Sequence, residues 1–423
     1  MDTHNQQRQK ISNNELHRLQ CAVQNYDWGL PASSSRVASL YALNSGQSVD
    51  PQKPYAELWM GTHDSGPSYL NKISFKSWLL QNPHVLGDKV LNNWGSDLPF
   101  LFKVLSVGKA LSIQAHPDKE LARRLHETLP DIYKDANHKP ELALAITEFE
   151  ALCSFVSLEE LMEVVAGVPE VGELIGNTNK DRVLQFNVKQ GQEKFKPLLQ
   201  EVFTQLMSAD NDVVAKVISK VKVRLQSENQ VRELTDKELL ILRLEQQYPG
   251  DVGVVSAFFL NYVRLKPGEA LYLGANEPHA YLSGECIECM ATSDNVVRAG
   301  LTPKLRDVHT LCSMLTYKQG YPEILQGLSI NPYTKKYLPT FDEFEVDHCG
   351  IPQGTSTTFP AIPGPSIFLV MAGHGTIETD SFKEAITEGD VFYAAADCEI
   401  LLIAETQLQI YRAGVSSRFL FSP

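Results

Sequence analysis

The chain has 423 residues, of which 43% are hydrophobic, 21% charged and 9% aromatic. These proportions are typical of a globular protein and exclude a disordered, collagen-like or fibrous chain, and the length suggests about three domains. With 38 Lys and Arg against 51 Asp and Glu, the formal net charge is −13, which repels nucleic acid and membrane surfaces. We therefore expect neither as a partner, and an anionic substrate would need cations gathered at one place.

The N-terminal segment, residues 1–15, is rich in Asn and Gln and has no apolar stretch. This composition predicts a disordered tail rather than a secretory signal or a membrane anchor. The longest apolar stretches, such as residues 252–260, reach about half of the roughly 20 residues that a membrane span requires. We therefore expect a soluble protein of the cytoplasm.

Strand patterns dominate the first part of the chain. Between Leu98 and His116, two apolar segments joined by Gly108 and Lys109 predict a β-hairpin. After Pro117 the apolar residues recur at helical spacing, which predicts a helix that Asp118 caps and that ends before Pro130.

The pattern becomes helical at Ser157, which has the spacing of a capping box with Glu160. Amphipathic segments continue to Pro249, so we predict a helical insertion over residues 155–250. Strand character returns at Val252, and turns such as residues 266–269 separate short apolar segments. Short strands divided by turns predict a β-sandwich or barrel.

A weak repeat links the two β regions. Residues 268–279 read GEALYLGANEPH, and residues 389–400 read GDVFYAAADCEI. The glycine, the acidic residue, the tyrosine and one alanine coincide, although strand and turn composition also allows a chance similarity. At the last position the first copy has His279 and the second has Ile400, so only the first copy would carry a functional side chain.

Several polar residues are candidates for a metal site. Strand alternation places Ser112, Gln114 and His116 on one face, which would otherwise simply face water. Lys139 and Glu141 enter an apolar run, where a charge needs a partner. With His279, the residues Gln114, His116 and Glu141 offer two imidazoles, a carboxylate and an amide oxygen, a set that suits Zn²⁺ but also Mn²⁺, Fe²⁺ or Co²⁺.

The seven cysteines are odd in number and scattered, which favours a reducing compartment. Cys286 and Cys289 form a single C-x-x-C without a second pair, so a cysteine zinc site is disfavoured and a redox role stays open. Glu288 lies between them on an apolar stretch and is either a buried base with a raised pKa or a surface glutamate.

Positive charge is concentrated in residues 294–304, on a segment that contains Gly and Pro. Arg298 can bind phosphate with a planar fork and Lys304 as a point charge. The alternative is a solvated loop with incidental cations.

Six strings in order resemble type I phosphomannose isomerases over nearly the whole chain: YDWG at 26–29, AELWMGTH at 56–63, SIQAHP at 112–117, YKDANHKPE at 133–141, NEPHAY at 276–281 and SDNVVRAGLTPK at 293–304. The resemblance implies a mainly β fold with a cupin-type jelly-roll catalytic core, a helical domain and a second, degenerate C-terminal jelly roll. The corresponding ranges are 16–154 with 251–335, 155–250 and 336–423, after the tail of residues 1–15.

The resemblance also implies a zinc-dependent aldose–ketose isomerase that interconverts mannose 6-phosphate and fructose 6-phosphate through a cis-enediol and supplies GDP-mannose synthesis and glycosylation. One Zn²⁺ per chain would be held by Gln114, His116, Glu141 and His279. The catalytic residues would be Arg298, Lys139, Glu288 and Asp294, and the substrate-binding residues Ser112, Arg298 and Lys304. A monomer is expected.

Several points stay open at this stage. Glu288 and Lys139 are both candidates for the proton-transferring base, and Lys139 would have to be neutral to act as one. Asp294 would assist ring opening, while phosphate would contact Arg298, Lys304 and Ser112. Two rival functions are a metal-bound sugar-phosphate sensor and an iron-dependent dioxygenase. Gln114 as a fourth ligand and the cation pair disfavour the dioxygenase.

Overall fold

The computed structural model describes residues 16–422, so the predicted tail lies outside the described residues. The described chain is mainly β-sheet with a helical domain. The strands, in chain order, are β1 (Leu16–Arg18), β2 (Ala22–Gln24), β3 (Leu30–Pro31), β4 (Pro54–Tyr55), β5 (Glu57–Met60), β6 (Tyr69–Leu70), β7 (Ile73–Ser74), β8 (Phe100–Val107), β9 (Ile113–Ala115), β10 (Glu141–Ala145), β11 (Phe149–Phe155), β12 (Leu260–Leu265), β13 (Ala270–Leu273), β14 (His279–Ala291), β15 (Val297–Gly300), β16 (Ile324–Leu325), β17 (Leu328–Asn331), β18 (Thr334–Tyr337), β19 (Glu345–Ile351), β20 (Ser356–Phe359), β21 (Ser366–Ala372), β22 (His374–Glu378), β23 (Lys383–Thr387), β24 (Val391–Ala394), β25 (Ile400–Ala404) and β26 (Leu408–Gly414).

The α-helices are α1 (Arg36–Ser45), α2 (Phe75–Gln81), α3 (Asp88–Trp94), α4 (Lys119–Thr128), α5 (Leu158–Gly167), α6 (Pro169–Ile175), α7 (Asn177–Leu184), α8 (Gln192–Met207), α9 (Asn211–Glu228), α10 (Asp236–Gln247), α11 (Val252–Ser256), α12 (Val308–Met314) and α13 (Ser417–Leu420). Short 3₁₀ turns occupy Pro83–Leu86, Val188–Gln190 and Ala257–Phe259. Among the described residues, no helix combines the length and the apolar character needed to cross a membrane.

The largest sheet has eleven strands, and β14 is its central strand. We call it the catalytic sheet, because its strands come from the range predicted for the catalytic region. Residues 279–283 of β14 pair with β11 and β9, whereas residues 284–291 pair with β8 and β10. The change of partners falls at Gly284, whose φ of +102° is a conformation that L-residues with a side chain rarely adopt. β14 therefore pairs with one group of strands along its first half and with another along its second half, and the two groups enclose one interior.

The predicted hairpin over residues 98–116 is wrong, because β8 and β9 pair with β14 rather than with each other. The backbone between them does not close a tight turn: Gly108 N–H donates to Trp28 O, and Leu111 N–H donates to Tyr281 O. The helix predicted after Pro117 is confirmed as α4. Its N-cap, Asp118, accepts a hydrogen bond from Leu121 N–H.

The helical region begins as predicted, with the Ser157 side chain accepting from Glu160 N–H at the start of α5. It runs further than predicted, because Val252–Ser256 forms α11 and not a strand. Every residue from 252 to 260 is buried, so the segment has neither helical nor strand periodicity for the sequence to reveal. Asp251 is the N-cap of this helix, and its side chain accepts a hydrogen bond from Gly253 N–H.

The C-terminal region forms a seven-stranded sheet (β1, β24, β21, β26, β19, β18, β17) and a four-stranded sheet (β20, β25, β22, β23). We call this pair the C-terminal sandwich. Its membership differs from the predicted grouping, because β1 and β17 lie in the seven-stranded sheet although their residues fall in the range predicted for the catalytic β region, and β18 spans the predicted boundary after residue 335. β1 enters it by pairing Leu16 with Ala394.

The two copies of the weak repeat fold alike. Gly268 and Gly389 both have positive φ, +85° and +89°. β13 and β24 begin at matching positions two residues later, and β14 and β25 begin at the matching His279 and Ile400. The same turn and strand thus occur once in each β region.

Alternation along the strands separates the core from the site. In β10, Leu142 and Leu144 pack in the apolar core that joins the catalytic sheet to the seven-stranded sheet. Their neighbours Glu141 and Ala143 point to the opposite, inner face of the catalytic sheet. Likewise Ile113 on β9 packs in the core of the helical domain. The inner face that remains is where the polar residues gather.

Candidate active site

Three buried side chains on three strands converge at the inner face. His116 Nε2 lies 3.4 Å from Glu141 Oε1, and His279 Nε2 lies 3.3 Å from Glu141 Oε2. One ligand atom from each residue lies within 4.8 Å of the others. His116 follows β9, Glu141 begins β10 and His279 begins β14, so the sheet brings together residues far apart in the chain.

The two imidazoles are oriented by the backbone. His116 Nδ1–H donates to Asn295 O at 2.7 Å, and His279 Nδ1–H donates to Glu277 O at 3.0 Å. Each Nε2 is left facing Glu141, and neither Nε2 has a hydrogen-bond partner within the described residues. Burial lowers the pKa of His116 to about 4, which keeps that ring neutral and its Nε2 lone pair available. Imidazoles anchored through Nδ1 beside a carboxylate fit a divalent metal.

Gln114 is placed to complete this set. It lies opposite His279 in the pairing of β9 with β14 and opposite Arg298 in the pairing of β9 with β15. Its side chain lines the same cavity as Glu141 and accepts a hydrogen bond from Ser112 Oγ at 3.4 Å. The polar row predicted from Ser112 and Gln114 therefore faces the site and not solvent.

Lys139 stands beside the carboxylate of the candidate metal site, with its Nζ 3.1 Å from Glu141 Oε1. Burial alone would raise the pKa of Glu141, but the charge of Lys139 holds it well below its usual range. Glu141 is consequently ionised and available as an oxygen ligand.

Glu288 is buried and forms an ion pair that the sequence did not indicate. Its Oε2 lies 2.9 Å from Lys103 Nζ, which also lies 3.2 Å from Glu57 Oε2. Burial raises the pKa of Glu288, Lys103 acts in the opposite direction, and the charges of Glu141 and Glu57 raise it further. Burial would lower the pKa of Lys103, but its two carboxylate partners raise it above its usual value. Lys103 is thus a fixed buried cation beside the candidate base.

Asp294 lies at the cavity wall, and its Oδ1 is 3.2 Å from His63 Nε2. The hydrogen bond from His63 lowers the pKa of Asp294 and outweighs its partial burial. His63 ends the string AELWMGTH at 56–63, but no local pattern in the sequence marks it as a partner of Asp294.

The loop over residues 293–295 is held by Asp135, which the sequence analysis did not single out. Asp135 accepts hydrogen bonds from Ser293 Oγ at 2.9 Å and Asp294 N–H at 2.6 Å, and its carbonyl accepts from Asn295 Nδ2 at 2.7 Å. Asn295 in turn supplies the carbonyl that orients His116. Asp135 therefore fixes a metal ligand indirectly.

Gln114, Lys139, Glu141, Glu288 and Asp294 line one cavity of about 730 Å³ on an acidic protein, and His116 and His279 lie buried behind Glu141. Ser112, Arg298 and Lys304, the predicted substrate-binding residues, line it together with Lys109. Burial lowers the pKa of Arg298 from its high ordinary value, and the guanidinium remains a cation. The cavity gathers the positive charge that an anionic substrate needs.

The cysteines take no visible part in this chemistry. All seven are buried, and none forms a disulfide within residues 16–422. Burial raises the pKa of Cys286 and of Cys289 well above the usual value, so both are thiols and not the thiolates that redox or metal chemistry requires.

Comparison with known proteins agrees with this geometry. The profile for the type I phosphomannose isomerase catalytic domain matches residues 16–158, and the one for the helical insertion domain matches residues 174–260. Mannose-6-phosphate isomerase 1 of Arabidopsis thaliana is 58% identical over 96% of this chain and 95% of its own length. Mannose-6-phosphate isomerase of Mus musculus is 42% identical over 93% of this chain and 97% of its own.

Solved structures show the same fold. A mannose 6-phosphate isomerase crystallised with zinc and yttrium superposes with a TM-score of 0.81 at 27% identity, over 95% of this chain and 100% of that one. The apo form of the Salmonella typhimurium enzyme gives the same TM-score at 26% identity, over 95% and 99%. The chain is therefore an enzyme of the type I phosphomannose isomerase family.

Proposed function

We propose that this enzyme interconverts mannose 6-phosphate and fructose 6-phosphate with one bound Zn²⁺. The observation that carries the proposal is the buried convergence of His116, Glu141 and His279, of which Glu141 lines the cavity that Arg298 and Lys304 also line. The names of the relatives, mannose-6-phosphate isomerases, indicate the substrate, and the zinc bound in one similar solved structure supports the choice of metal.

His116, Glu141 and His279 would hold the zinc, with Gln114 as the fourth ligand. When bound there, zinc supplies Lewis-acid stabilisation of the negative charge that develops on the sugar oxygens. The protein supplies the remaining chemistry, which is the binding of the phosphate, the opening of the ring and the transfer of two protons.

Glu288 is the better candidate for the base. Its burial raises its pKa towards the range in which a carboxylate is an effective base near neutral pH. Lys139 instead is engaged in an ion pair, with its Nζ 3.1 Å from Glu141 Oε1. Glu288 removes the proton from C2 of the open-chain aldose and returns it to C1. The hydroxyl proton passes from O2 to O1, so the cis-enediol collapses to the ketose.

Lys139 then serves as a fixed positive charge for the enediolate and not as the base. Asp294, held by His63, assists ring opening by transferring the O1 proton towards the ring oxygen. Arg298, Lys304 and Ser112 bind the phosphate. In the direction of mannose 6-phosphate, the reaction would supply this sugar phosphate for GDP-mannose synthesis and glycosylation.

The finer description of the fold is part of the proposal. We assign the catalytic sheet and the C-terminal sandwich to the cupin-type jelly roll, the second being degenerate. The repeated turn and strand around Gly268 and Gly389, with His279 replaced by Ile400, supports this assignment. The monomeric state and the cytoplasmic location stay predictions.

One experiment separates the proposal from its rivals. Metal content is measured together with fructose 6-phosphate formation from mannose 6-phosphate, before and after chelation and zinc addition. Zinc-dependent turnover is the expected result. Sugar-phosphate binding without turnover would favour a sensor, and oxygen consumption with bound iron would favour a dioxygenase.

A further inference from the structure

The C-terminal sandwich contains a cavity of its own, of about 420 Å³, separate from the catalytic site. Its walls are mainly apolar and include Phe368 of the seven-stranded sheet and Phe359 and Ile400 of the four-stranded sheet. Protein interiors are close-packed and leave few voids larger than a water molecule. Ligand pockets commonly measure about 300–1,000 Å³ and combine apolar walls with a few polar groups, as this cavity does.

The floor of the cavity is a row of charged residues across three strands. Lys336, Asp347 and Arg412 are register partners on β18, β19 and β26. Arg412 Nη1 donates to Asp347 Oδ2 at 2.6 Å and to Glu345 Oε1 at 3.1 Å, while Lys336 pairs with Glu345. The side chains of both acids are 1% exposed. Two cations thus balance two carboxyl groups in the floor.

One hydrogen-bonding position in this floor is unfilled. Asp347 Oδ1 is buried and has no hydrogen-bond partner within residues 16–422. The Lys336 ammonium lies 3.7 Å away, which is too far for a hydrogen bond. An acceptor and a donor therefore stand side by side, and both residues line the cavity. Buried polar atoms in proteins nearly always have a hydrogen-bond partner. We therefore expect a ligand group to donate a hydrogen bond to this oxygen.

Stability does not explain the charged row. Replacing a buried ion cluster with apolar residues of similar volume is often neutral or stabilising. The rest of the sandwich core follows that rule, since Val370, Phe392 and Ile410 fill the same inner face of the seven-stranded sheet. The charged row is confined to the cavity, where a ligand would use it.

We propose that this cavity binds a small uncharged hydroxylated molecule, such as an unphosphorylated sugar or polyol. A ligand hydroxyl donates to Asp347 Oδ1 and accepts from the Lys336 ammonium, while the carbon face of the ligand packs against Phe359 and Phe368. The balanced floor selects against charged ligands, because a phosphate would meet two carboxyl groups and a cation would meet two basic groups. The site is independent of the isomerase activity.

Methyl NMR of the zinc-loaded enzyme tests this. Ile330, Ile362 and Ile400 line the cavity, so their labelled δ1 methyl groups report on it. Ile113 on β9 and Ile287 on β14 report on the catalytic sheet. Mannose, glucose and mannitol are titrated with the active site saturated by the substrate–product mixture. We expect saturable shifts at the first three methyl groups and none at the other two.

A blocking variant gives the control. Ala361 lines the cavity but is exposed, so it lies at the mouth, and Ala361→Trp should abolish the shifts without changing isomerase activity. Ala385 is exposed on β23 and does not line the cavity, so Ala385→Trp should leave the shifts intact. The proposal is overturned if no probe gives saturable shifts, if the shifts survive in Ala361→Trp, or if only a phosphorylated sugar produces them.

Discussion

Lys103 Nζ lies 2.9 Å from Glu288 Oε2, and the two side chains are only 7% and 5% exposed. The carboxyl group that we propose as the base is thus held in a buried ion pair with a lysine. Burial raises the pKa of Glu288 and Lys103 opposes that rise, so the pair sets the pH range in which Glu288 is a base.

Replacing Lys103 with Met should therefore raise the pKa of Glu288 further and move the acidic limb of the kcat/KM profile to higher pH. Breaking a buried ion pair should also cost about 3–5 kcal/mol of stability, so Tm is measured alongside the pH profile at a temperature where the variant is folded. Lys103→Arg keeps the charge and should retain the wild-type limb. An unshifted limb in Lys103→Met would show that Glu288 is not the titrating base.

Replacing Arg298 with Ala should reduce kcat/KM by the equivalent of about 2–5 kcal/mol while zinc stays bound, because a desolvated charge contact with the substrate is lost. Arg123→Ala, at an exposed position on α4, is the matched control and should behave as wild type. Steady-state kinetics with metal analysis decides the matter. Wild-type kinetics in Arg298→Ala would show that Arg298 makes no important contact with the substrate.

Replacing His279 with Ala should lower the bound zinc below one equivalent, since an anchored imidazole ligand disappears. His309→Ala, at an exposed position on α12, should keep a full equivalent. Elemental analysis of both purified variants is the measurement. A full equivalent in His279→Ala contradicts the ligand assignment, and a second equivalent that survives this change would place a metal elsewhere in the chain.

Replacing Asp135 with Ala should weaken zinc binding by about 10- to 100-fold, as loss of a group that supports a metal ligand commonly does. The carboxylate holds Ser293 and Asp294, and this loop carries the Asn295 carbonyl that orients His116. Competition with a chelator of known affinity measures the change. Asp131→Ala, at an exposed position, is the control, and equal affinities in the two variants would exclude the positioning role.

Replacing Gly284 with Ala should destabilise the protein by about 2 kcal/mol or more. The position has a φ of +102°, and a Cβ there would come within 2.2 Å of Glu148 O. Gly350→Ala is the matched control, because a Cβ at Gly350 meets nothing within 4 Å. Equal free energies of unfolding for the two variants would show that the bend of β14 does not depend on this glycine.

The sequence predicted the parts of the site that local patterns reveal. Alternation placed Gln114 and His116 on one face, and an apolar stretch suggested the burial of Glu288. It could not reveal Lys103, because a single lysine within the apolar run of β8 acquires its meaning only from the register that sets it beside Trp59 on β5 and Glu288 on β14.

The wrong hairpin has the same origin. β8 and β9 are neighbours in the chain, but the strand that both pair with is β14, which lies beyond the helical insertion. Local sequence reports turn and strand preferences, whereas partner choice depends on segments that are distant in the chain. The all-buried segment at Val252 was misassigned because uniform burial erases the periodicity that separates helix from strand.

The late position of β14 in the chain also constrains how the enzyme is made. During synthesis, β8, β10 and β11 leave the ribosome before their central strand and before His279, so the catalytic sheet and the metal site cannot close until the helical insertion has been translated. The insertion therefore separates the synthesis of the two halves of the active site by the time needed to translate its helices.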